Sequence, residues 1–516
     1  MPLCSQDGII PQASDPSACP PLAESQPVIS GYVYGLLFHE VRISARCDRR
    51  LPSFEIDGVT PEDAKNIKLR VRYALRECGV HLPPNGLRVR VQPAVDMRGV
   101  RELDLPIALA LLGALGRISE APLQNVMVTG ELSLSGTLMP VRGAIHFAEN
   151  AHGRLLILPA ENAQEAVHGS LWVHPATNLG EVYSWLRGDY SSFPLHQPEP
   201  VAEELPPAYD ISDIQGQGLG KRALEVAAAG AHPLLLEGVP GSGKTMFARR
   251  LGGILPPMTR KEVAIATRIH SAAGSLRGRD RLRERPFRAP HHTASHNALM
   301  GRWFMNCPSE ISLASSGVFF LDEVPEFRKE LLRELAGAFR ARQITVSAHR
   351  KTHTFPVSAH LVAAMNPCPC GYFGMEARNC RCTPEEIRRY QQRALPIRSL
   401  CDVRVRLDPI MPQAPRRPAV EETSMQVQKR VEAARRLQHE RQQKTNAELH
   451  DAEVLALQVD PAVRDFIASL ESPPHRLLRV ARTLADLETS PCMDVPHIEE
   501  AASLTGLAQS MAAPRR

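Results

Sequence analysis

Residues 238–245, with the sequence GVPGSGKT, constrain the fold of this chain more than any other segment. They match the phosphate-loop pattern G-x-x-x-x-G-K-[ST] and follow the apolar run 233–236, which predicts a buried strand. The three glycines leave room for backbone amides to surround a triphosphate. The segment after Lys244 predicts a helix whose amino terminus faces the bound anion. This order of strand, loop and helix predicts nucleotide binding.

The predicted ATP and Mg²⁺ ligands come from the loop and from the end of a second strand. We expect Lys244 to reach the β- and γ-phosphates and the Thr245 hydroxyl to hold Mg²⁺. Asp322 ends the apolar run 317–321 and would bind Mg²⁺ through water or through Thr245. The nucleotide-binding residues are therefore predicted to be Gly238, Val239, Pro240, Gly241, Ser242, Gly243, Lys244, Thr245 and Asp322.

Two further polar residues predict hydrolysis rather than binding alone. Glu323 follows Asp322 and is predicted to orient and deprotonate the attacking water. A third apolar run, 360–365, ends at Asn366, whose amide would sense the γ-phosphate beside the other strand ends. With Lys244, these two side chains are the predicted catalytic residues. Together they predict an ATPase core between about 210 and 410.

The bulk composition limits the function classes that remain. The net charge is +5 and the isoelectric point is about 8.6, which permits nucleic-acid binding without requiring it. No segment approaches the ~20 apolar residues of a membrane span, and the first residues do not resemble a secretion signal. We therefore expect a cytoplasmic protein that does not act in a membrane. The eleven cysteines are then expected to be thiols or metal ligands rather than disulfides.

The sequence predicts an α/β protein of several parts. Alternating strands and helices, including a strand at 87–92 and a buried helix at 105–112, are expected in the first folded domain. Proline-rich composition indicates an extended linker, and dense Arg, Gln and Ala indicate helices near the end. The predicted parts are a disordered extension (1–30), an α/β domain (31–188), a linker (189–209), the ATPase core (210–410) and a helical lid (411–516).

Several motifs together resemble the ComM/YifB group of magnesium-chelatase-like AAA+ ATPases. They are IQGQ at 214–217, RPFRAPHHT at 285–293, LDEVPEF at 321–327, AAMNPCPCG at 363–371 and RVARTLADL at 479–487. The resemblance implies a homo-hexameric ring that hydrolyses ATP between subunits. It also implies branch migration of DNA during natural transformation or recombination, on branched or single-stranded DNA and without sequence preference.

The first domain resembles the Lon-protease module. The likeness is carried by TGELSLSGTLMPVRG at 129–143. A peptidase of that kind needs a serine nucleophile and a lysine base, but 101–106 contains no serine and 144–146 contains no lysine. We therefore expect a structural or DNA-associated domain without peptidase chemistry.

The sequence departs from the family pattern at positions that matter for hydrolysis. A ring ATPase uses an arginine from the next subunit to stabilise charge on the γ-phosphate, and this is worth ~10³–10⁵ in rate. Leu400 stands where the family places that arginine, with Arg398 two residues earlier. Ser472 lies in the segment where the lid arginine is expected, close to Arg476, and the usual glycine run is replaced at 302–307. One alternative is therefore an ATP-binding paralogue of low activity that serves as a regulatory scaffold. Another is a motor subunit of a metal chelatase.

Four cysteines have the chemistry of a structural zinc site. Cys368 and Cys370 form one C-x-C pair, Cys380 and Cys382 form a second, and nine residues separate the two pairs. Four thiolates complete a tetrahedral Zn²⁺ site and leave no position open for catalysis. The alternative is four free thiols.

Two basic segments are candidate DNA contacts. Six arginines lie within 277–288, and 344–355 predicts a hairpin with a basic tip at Arg350 and Lys351. Such a tip would follow phosphates without recognising bases. The alternative for either segment is an ordinary solvated surface. The pair His291 and His292 is expected to form a hydrogen-bonded turn rather than a metal site.

Overall fold

The chain folds into two compact units, one of which is not continuous in sequence. The first holds the residues up to 201 and 267–281, and the second holds 202–266, 282–302 and the residues from 308 onward. The predicted linker lies almost entirely outside the described residues. The computed structural model describes residues 24–48, 51–95, 97–167, 172–189, 209–276, 279–301, 308–348, 351–375, 379–408, 421–457, 459–461, 463–464 and 475–506.

The first unit is built on a seven-stranded mixed sheet in the order β3-β4-β2-β1-β5-β8-β9, with a separate β6-β7 hairpin. Its strands are β1 (Val28–Tyr34), β2 (Leu37–Asp48), β3 (Ser53–Asp57), β4 (Gly86–Gln92), β5 (Val126–Val128), β6 (Glu131–Leu132), β7 (Leu138–Met139), β8 (Leu155–Pro159) and β9 (Val173–Ala176). Its helices are α1 (Pro61–Glu77), α2 (Asp104–Ala114), α3 (Ala144–Asn150), α4 (Ala163–Ala166) and α5 (Leu179–Leu186).

The core of this unit forms around α2, whose residues are buried on every side except at Gly113. A helix that is apolar all round can be stable only inside a protein. Side chains of β4 alternate between buried and exposed from Leu87 onward, as a strand with one solvated face requires. The predicted strand at 87–92 and the predicted buried helix at 105–112 are therefore confirmed.

Two predictions for the amino-terminal region are wrong. Residues 28–30, assigned to a disordered extension, are paired in β1, because an antiparallel ladder with β2 satisfies their backbone groups. Backbone pairing begins even earlier in the chain, because Glu24 forms an isolated β-bridge with Arg46. Cys47 on β2 is disulfide-bonded, whereas the other described cysteines are free. Cys47 is almost fully buried.

The second unit is built on a five-stranded parallel sheet in the order β11-β12-β15-β10-β16, with a separate β13-β14 hairpin. Its strands are β10 (Leu234–Gly238), β11 (Phe287–Arg288), β12 (Val318–Leu321), β13 (Gln343–Ala348), β14 (Lys351–Pro356), β15 (His360–Met365) and β16 (Val403–Leu407). The helices from here on are α6 (Gly218–Gly230), α7 (Lys244–Ile254), α8 (Arg260–Ala272), α9 (His296–Met300), α10 (Glu310–Leu313), α11 (Lys329–Ala341), α12 (Pro384–Arg393), α13 (Leu395–Arg398), α14 (Ser424–Gln442), α15 (Asp451–Leu455), α16 (His475–Leu487) and α17 (Val495–Thr505).

The parallel sheet is buried on both faces, as parallel sheets require. Leu234 and Leu236 belong to one core cluster, together with side chains of α6, α7, α14 and α16. Leu235 points to the other face, into a cluster with side chains of α11 and α13. Since all five strands run in one direction, their carboxyl ends meet at one edge of the sheet. Ligands bind at that edge in sheets of this type.

The carboxy-terminal helices pack on the ATPase core through buried polar contacts as well as apolar ones. His232, before β10, lies 3.0 Å from Asp402 through Nδ1 and 2.7 Å from Thr483 of α16 through Nε2. Both His232 and Thr483 are fully buried. The parallel sheet and the helices from 421 onward therefore belong to one unit.

Part of the segment predicted to lie in the ATPase core belongs to the first unit instead. Ser271 near the end of α8 accepts a backbone hydrogen bond from Gly143 at 2.9 Å. Its hydroxyl donates to buried Glu165 at 2.5 Å, and Ala272 joins a core cluster with Phe147. The predicted range of 31–188 therefore omits part of the first unit. The sequence could not show this, because the contacts join residues that are far apart in the chain.

No helix among the described residues is long and apolar enough to cross a membrane.

Candidate functional site

The phosphate loop occupies the predicted turn between β10 and α7. Gly241 and Gly243 have φ angles of 82° and 89°, which favour glycine because a Cβ strains this conformation. A Cβ added at Gly238 would lie 2.5 Å from Ser242 Oγ and 3.0 Å from the Leu407 carbonyl. The buried Ser242 hydroxyl has no hydrogen-bond partner among the described residues. The loop thus holds backbone close to where an anion would sit.

Lys244 is the first residue of α7 and is largely buried. Its ammonium donates to the carbonyls of Gly238 and Val239, at 2.8 and 3.0 Å, and to Asn366 Oδ1 at 3.0 Å. Burial lowers the pKa of Lys244, and the negative charges of Asp322 and Glu323 act in the opposite direction. Within the part of the chain that the structure describes, its hydrogen-bond acceptors are all neutral groups. A negatively charged phosphate would therefore bind it more strongly than its present partners do.

The predicted magnesium ligands are in contact. Thr245 Oγ1 donates to Asp322 Oδ2 at 2.9 Å, and Asp322 follows the fully buried strand β12. A hydroxyl and a carboxylate at this separation match the oxygen ligands that Mg²⁺ takes beside a nucleotide phosphate. The donor set therefore fits Mg²⁺.

Glu323 follows the sheet in a left-handed conformation, with φ of 51°. Its backbone amide donates to Asp322 Oδ1 at 3.0 Å, and its side chain is half exposed. His292 Nδ1 lies 3.6 Å from the Glu323 carboxylate. The sequence did not predict this contact. The only signal for this contact in the sequence was the histidine pair, which follows the segment that forms the short strand β11.

Side chains with predicted roles thus gather at the carboxyl edge of three adjacent strands, β12, β15 and β10. They are Lys244, Thr245, Asp322, Glu323 and Asn366. His291 forms the predicted turn, since its Nδ1 lies 2.8 Å from Thr293 Oγ1.

The structure shows where Arg398 and Leu400 lie. Arg398 ends the helical turn α13, which starts at Leu395. Proline near the first position of a helix is compatible with helix geometry, and Pro396 stands there. Arg398 Nε lies 3.7 Å from Glu237, and Leu400 packs against the apolar cluster behind the sheet.

Arg476 lies with these residues rather than at the phosphate loop of its own chain. It donates to the Ser399 carbonyl at 2.9 Å, and its Nε lies 3.7 Å from Asp402. Asp402 precedes β16, which pairs with Gly238 only at Leu407, its last residue. At ~3.3 Å per residue, the two ends of β16 are about 13 Å apart. Ser472 and the replaced glycine segment at 302–307 lie outside the described residues.

The structure describes part of each of the two basic segments. Within 277–288, Arg285 is largely buried and donates to the carbonyls of Ser316 and Pro256, and Arg288 forms a two-bond ion pair with Glu310. These two arginines are therefore occupied by their own chain. The predicted hairpin is present as β13 and β14, in register from Gln343 opposite Pro356 to Ala348 opposite Lys351. Its tip residue Arg350 lies outside the described residues.

The four cysteines that were predicted to bind zinc form a cluster. All four sulfurs lie within 4.8 Å of one another, and Cys368, Cys370 and Cys380 are separated by 3.3–3.6 Å. Positive φ angles at Gly371 and Gly374 turn the loop back on itself, as expected. The set fits one tetrahedral Zn²⁺, because Zn–S bonds of ~2.3 Å separate the sulfurs by about 3.8 Å.

Sequence comparisons place the chain among known proteins. Residues 210–415 match a family described as "Magnesium chelatase, subunit ChlI". Residues 43–162 match "Subunit ChlI of Mg-chelatase", and 421–505 match its carboxy-terminal part.

Full-length relatives support the same placement. The chain is 36% identical over 480 residues to YifB of Salmonella typhimurium, covering 90% of this chain and 93% of that protein. It is 35% identical over 479 residues to YifB of Escherichia coli, with the same coverage. It is also 35% identical over 481 residues to competence protein ComM of Haemophilus influenzae, covering 89% of this chain and 93% of ComM. The chain therefore belongs to the ComM/YifB family of magnesium-chelatase-like AAA+ proteins.

Proposed function

We propose that the protein hydrolyses ATP and uses the energy to remodel branched or single-stranded DNA as a ring of six copies. One observation carries the ATPase part of the proposal. Lys244, Thr245, Asp322, Glu323 and Asn366 converge at the carboxyl edge of the parallel sheet. The DNA part rests on the relationship to a protein named for competence.

Each side chain has a distinct task in the proposed reaction. Lys244 binds the β- and γ-phosphates, and Asn366 fixes both Lys244 and the γ-phosphate. Thr245 and Asp322 hold Mg²⁺, which supplies charge neutralisation for the phosphates. Glu323 accepts a proton from the water that attacks the γ-phosphorus. The bond to the bridging oxygen then breaks, and ADP leaves with the electron pair.

Arginines of a neighbouring copy complete the proposed site. Arg404 donates to the Arg398 carbonyl at 2.7 Å and Arg476 donates to the neighbouring Ser399 carbonyl at 2.9 Å, so three arginines meet at this turn. Burial, and then the charges of Arg476 and Arg398, lower the pKa of Arg404 to about 10. The Nε atoms of Arg398 and Arg476 are buried and face Glu237 and Asp402 at 3.7 Å, but about a third of each side chain is exposed. The exposed part of each guanidinium group is proposed to meet a phosphate presented by another subunit. This cluster is proposed to replace the arginine that is missing at Leu400.

Leu400 also supports a second candidate, an ATP-binding scaffold with little hydrolysis. Its side chain packs in an apolar cluster and cannot stabilise charge. In that case ATP binding would regulate an active partner. The chelatase-motor alternative has no observation of its own in this chain, although the family profiles carry the chelatase name.

Steady-state ATP turnover tests the proposal, measured with and without branched DNA. Lys244→Ala serves as the blank, because it removes the phosphate-binding ammonium. DNA-stimulated turnover above the blank supports the motor. Turnover equal to the blank while ATP still binds would contradict the motor and favour the scaffold. DNA affinity that falls steeply with salt separates the DNA motor from a chelatase subunit.

The β13-β14 hairpin is the proposed DNA contact. Lys351→Ala removes one phosphate partner, so the slope of log affinity against log salt should fall by about 1. Affinity for different DNA sequences should weaken to the same extent. Lys329→Ala, at the start of α11, provides a lysine control away from the hairpin. Equal salt slopes for both variants would exclude a contact at Lys351.

The remaining parts of the proposal concern domains, metal and location. The first unit is proposed to be a Lon-like domain without peptidase chemistry, and the helices from 421 onward are proposed to be the lid. Structural Zn²⁺ at Cys368, Cys370, Cys380 and Cys382 and a cytoplasmic location complete it.

A further inference from the structure

The four-cysteine cluster lies directly beside the nucleotide site in sequence and in space. Cys368 follows Asn366 with only Pro367 between them, and Asn366 contacts Lys244 at 3.0 Å. The cluster therefore holds the end of the segment that carries the predicted phosphate sensor. Displacing Cys368 would displace Asn366.

The loop between the cysteine pairs also touches the phosphate loop itself. A Cβ added at Gly371 would lie 2.7 Å from Pro240 Cδ and 2.8 Å from Pro240 Cγ. The backbone at Gly371 is thus packed against the tip of the phosphate loop at a distance that only glycine permits. Gly371 therefore helps to hold Pro240 in place, in addition to the strand and the helix that flank the phosphate loop.

Two further contacts fix the cysteine loop to the sheet and to α12. Arg406 of β16 donates to the carbonyls of Phe373 and Gly374, at 3.1 Å each. Gln391 of α12 donates to the Pro367 carbonyl at 3.2 Å. Helix α12 starts immediately after Cys382, at an N-cap formed by Thr383. The cluster therefore joins the end of β15 to the beginning of α12.

The sulfurs are arranged for a single ion. Backbone amides of Phe373 and Cys382 donate to the sulfurs of Cys368 and Cys380, at 3.3 and 3.4 Å, which stabilises thiolates. An iron–sulfur cluster places several metal and sulfide atoms between its cysteines and needs wider separations than 3.3–3.6 Å.

We propose that one Zn²⁺ in this cluster acts as a clamp on the nucleotide site, holding Asn366 against Lys244 and Gly371 against Pro240. Loss of the metal then weakens nucleotide binding while the parallel sheet stays folded. The inference rests on the proposed function for its effect on turnover, but metal content and nucleotide affinity do not depend on turnover. Cys368, Cys370, Cys380 and Cys382 are positioning residues in this arrangement.

The test measures zinc content and the affinity for a fluorescent ATP analogue in the full chain, in a Glu323→Gln background that slows turnover. The parent should contain one zinc per chain. Cys380→Ser combined with Cys382→Ser should remove the zinc and weaken nucleotide binding on the order of tenfold or more. Cys492→Ser is the control, because that thiol is exposed and outside the cluster. Far-UV circular dichroism verifies that each variant is folded.

A second variant separates the clamp from general loss of folding. Gly371→Ala keeps all four thiols but forces Pro240 to move, so zinc should remain while nucleotide affinity falls. Gly153→Ala is its control, since Gly153 has a similar φ of 82° but no neighbour within 4 Å. Unchanged affinity in both Gly371→Ala and the cysteine variant would overturn the clamp. A parent without zinc, or with iron in its place, would overturn the metal assignment.

The outcomes also distinguish this inference from the proposed function. Zinc-dependent nucleotide affinity without measurable turnover in the unmutated chain would refute the motor and leave the clamp intact. DNA-stimulated turnover that is indifferent to zinc would refute the clamp and leave the motor intact.

Discussion

A buried ion pair in the first unit contrasts with the buried lysine of the phosphate loop in the second unit. In the first unit, Asp104 is fully buried, and Arg70 donates two hydrogen bonds to it at 2.6 and 2.9 Å. A third bond comes from the Leu132 amide at 3.0 Å. In the second unit, among the described residues, Lys244 hydrogen-bonds only to neutral groups and Ser242 has no partner. A saturated ion pair indicates a structural role, whereas buried polar groups without matched partners indicate a binding site.

Glu323→Gln should produce the largest effect in the second unit. Its amide keeps the size of the side chain but cannot accept the proton of the attacking water. Turnover should fall about 10²–10⁴-fold while nucleotide affinity is retained. Phosphate release and binding of a fluorescent ATP analogue measure the two quantities. A fall of less than tenfold would mean that another group serves as the base.

Arg70→Met should produce the largest effect in the first unit. It leaves Asp104 buried without its partner, which should lower the free energy of unfolding by about 3 kcal/mol. Urea unfolding followed by tryptophan fluorescence reports this unit, because Trp172 and Trp185 both lie in it. Nucleotide affinity should not change. Arg88→Met is the control, since its ion pair with Glu55 is half exposed on both sides and should contribute little.

The buried His146 should make the first unit sensitive to acid. Burial lowers its pKa from 6.5 to about 4. The folded histidine therefore stays neutral while the unfolded one binds a proton, so stability falls as the pH drops from 6.5 towards 4. Between pH 7.5 and pH 5 this loss should be about 2 kcal/mol, and His146→Leu should lack it. Parallel pH profiles of the two proteins, measured by urea unfolding, would contradict the assignment.

His292→Ala should have the smallest effect. The contact between His292 and Glu323 is long and partly exposed, so its removal should change turnover by less than about fivefold. The measurement is steady-state turnover with and without DNA. A larger change confined to one of the two conditions would show that His292 controls when Glu323 is available.

The nucleotide site was predictable from the sequence because its residues follow buried strands of one parallel sheet. The ends of such strands meet at one edge, so Asp322 and Asn366 had to approach the phosphate loop once the strands were identified. The helix around 105–112 was predictable from its continuous apolar run. These features depend on local pattern and on a general rule of sheet geometry.

Other features depend on contacts distant in sequence and could not be predicted. The bond between Gly143 and Ser271 assigns the end of α8 to the first unit, and no local signal marks it. Arg285 belongs to a basic segment, yet it is occupied by carbonyls of Ser316 and Pro256. Charge runs do not indicate which members face solvent. The pairing of His292 with Glu323 likewise appears only when β11 and β12 lie side by side.

The one-residue connection between Asn366 and Cys368 limits the changes in chain length that this segment can tolerate. Because Pro367 alone connects them, an insertion or deletion there would displace the proposed phosphate sensor and the proposed metal cluster together. The stretch from Gly371 to Gly374 should be equally intolerant of changes in length, because its backbone packs against Pro240 and accepts hydrogen bonds from Arg406.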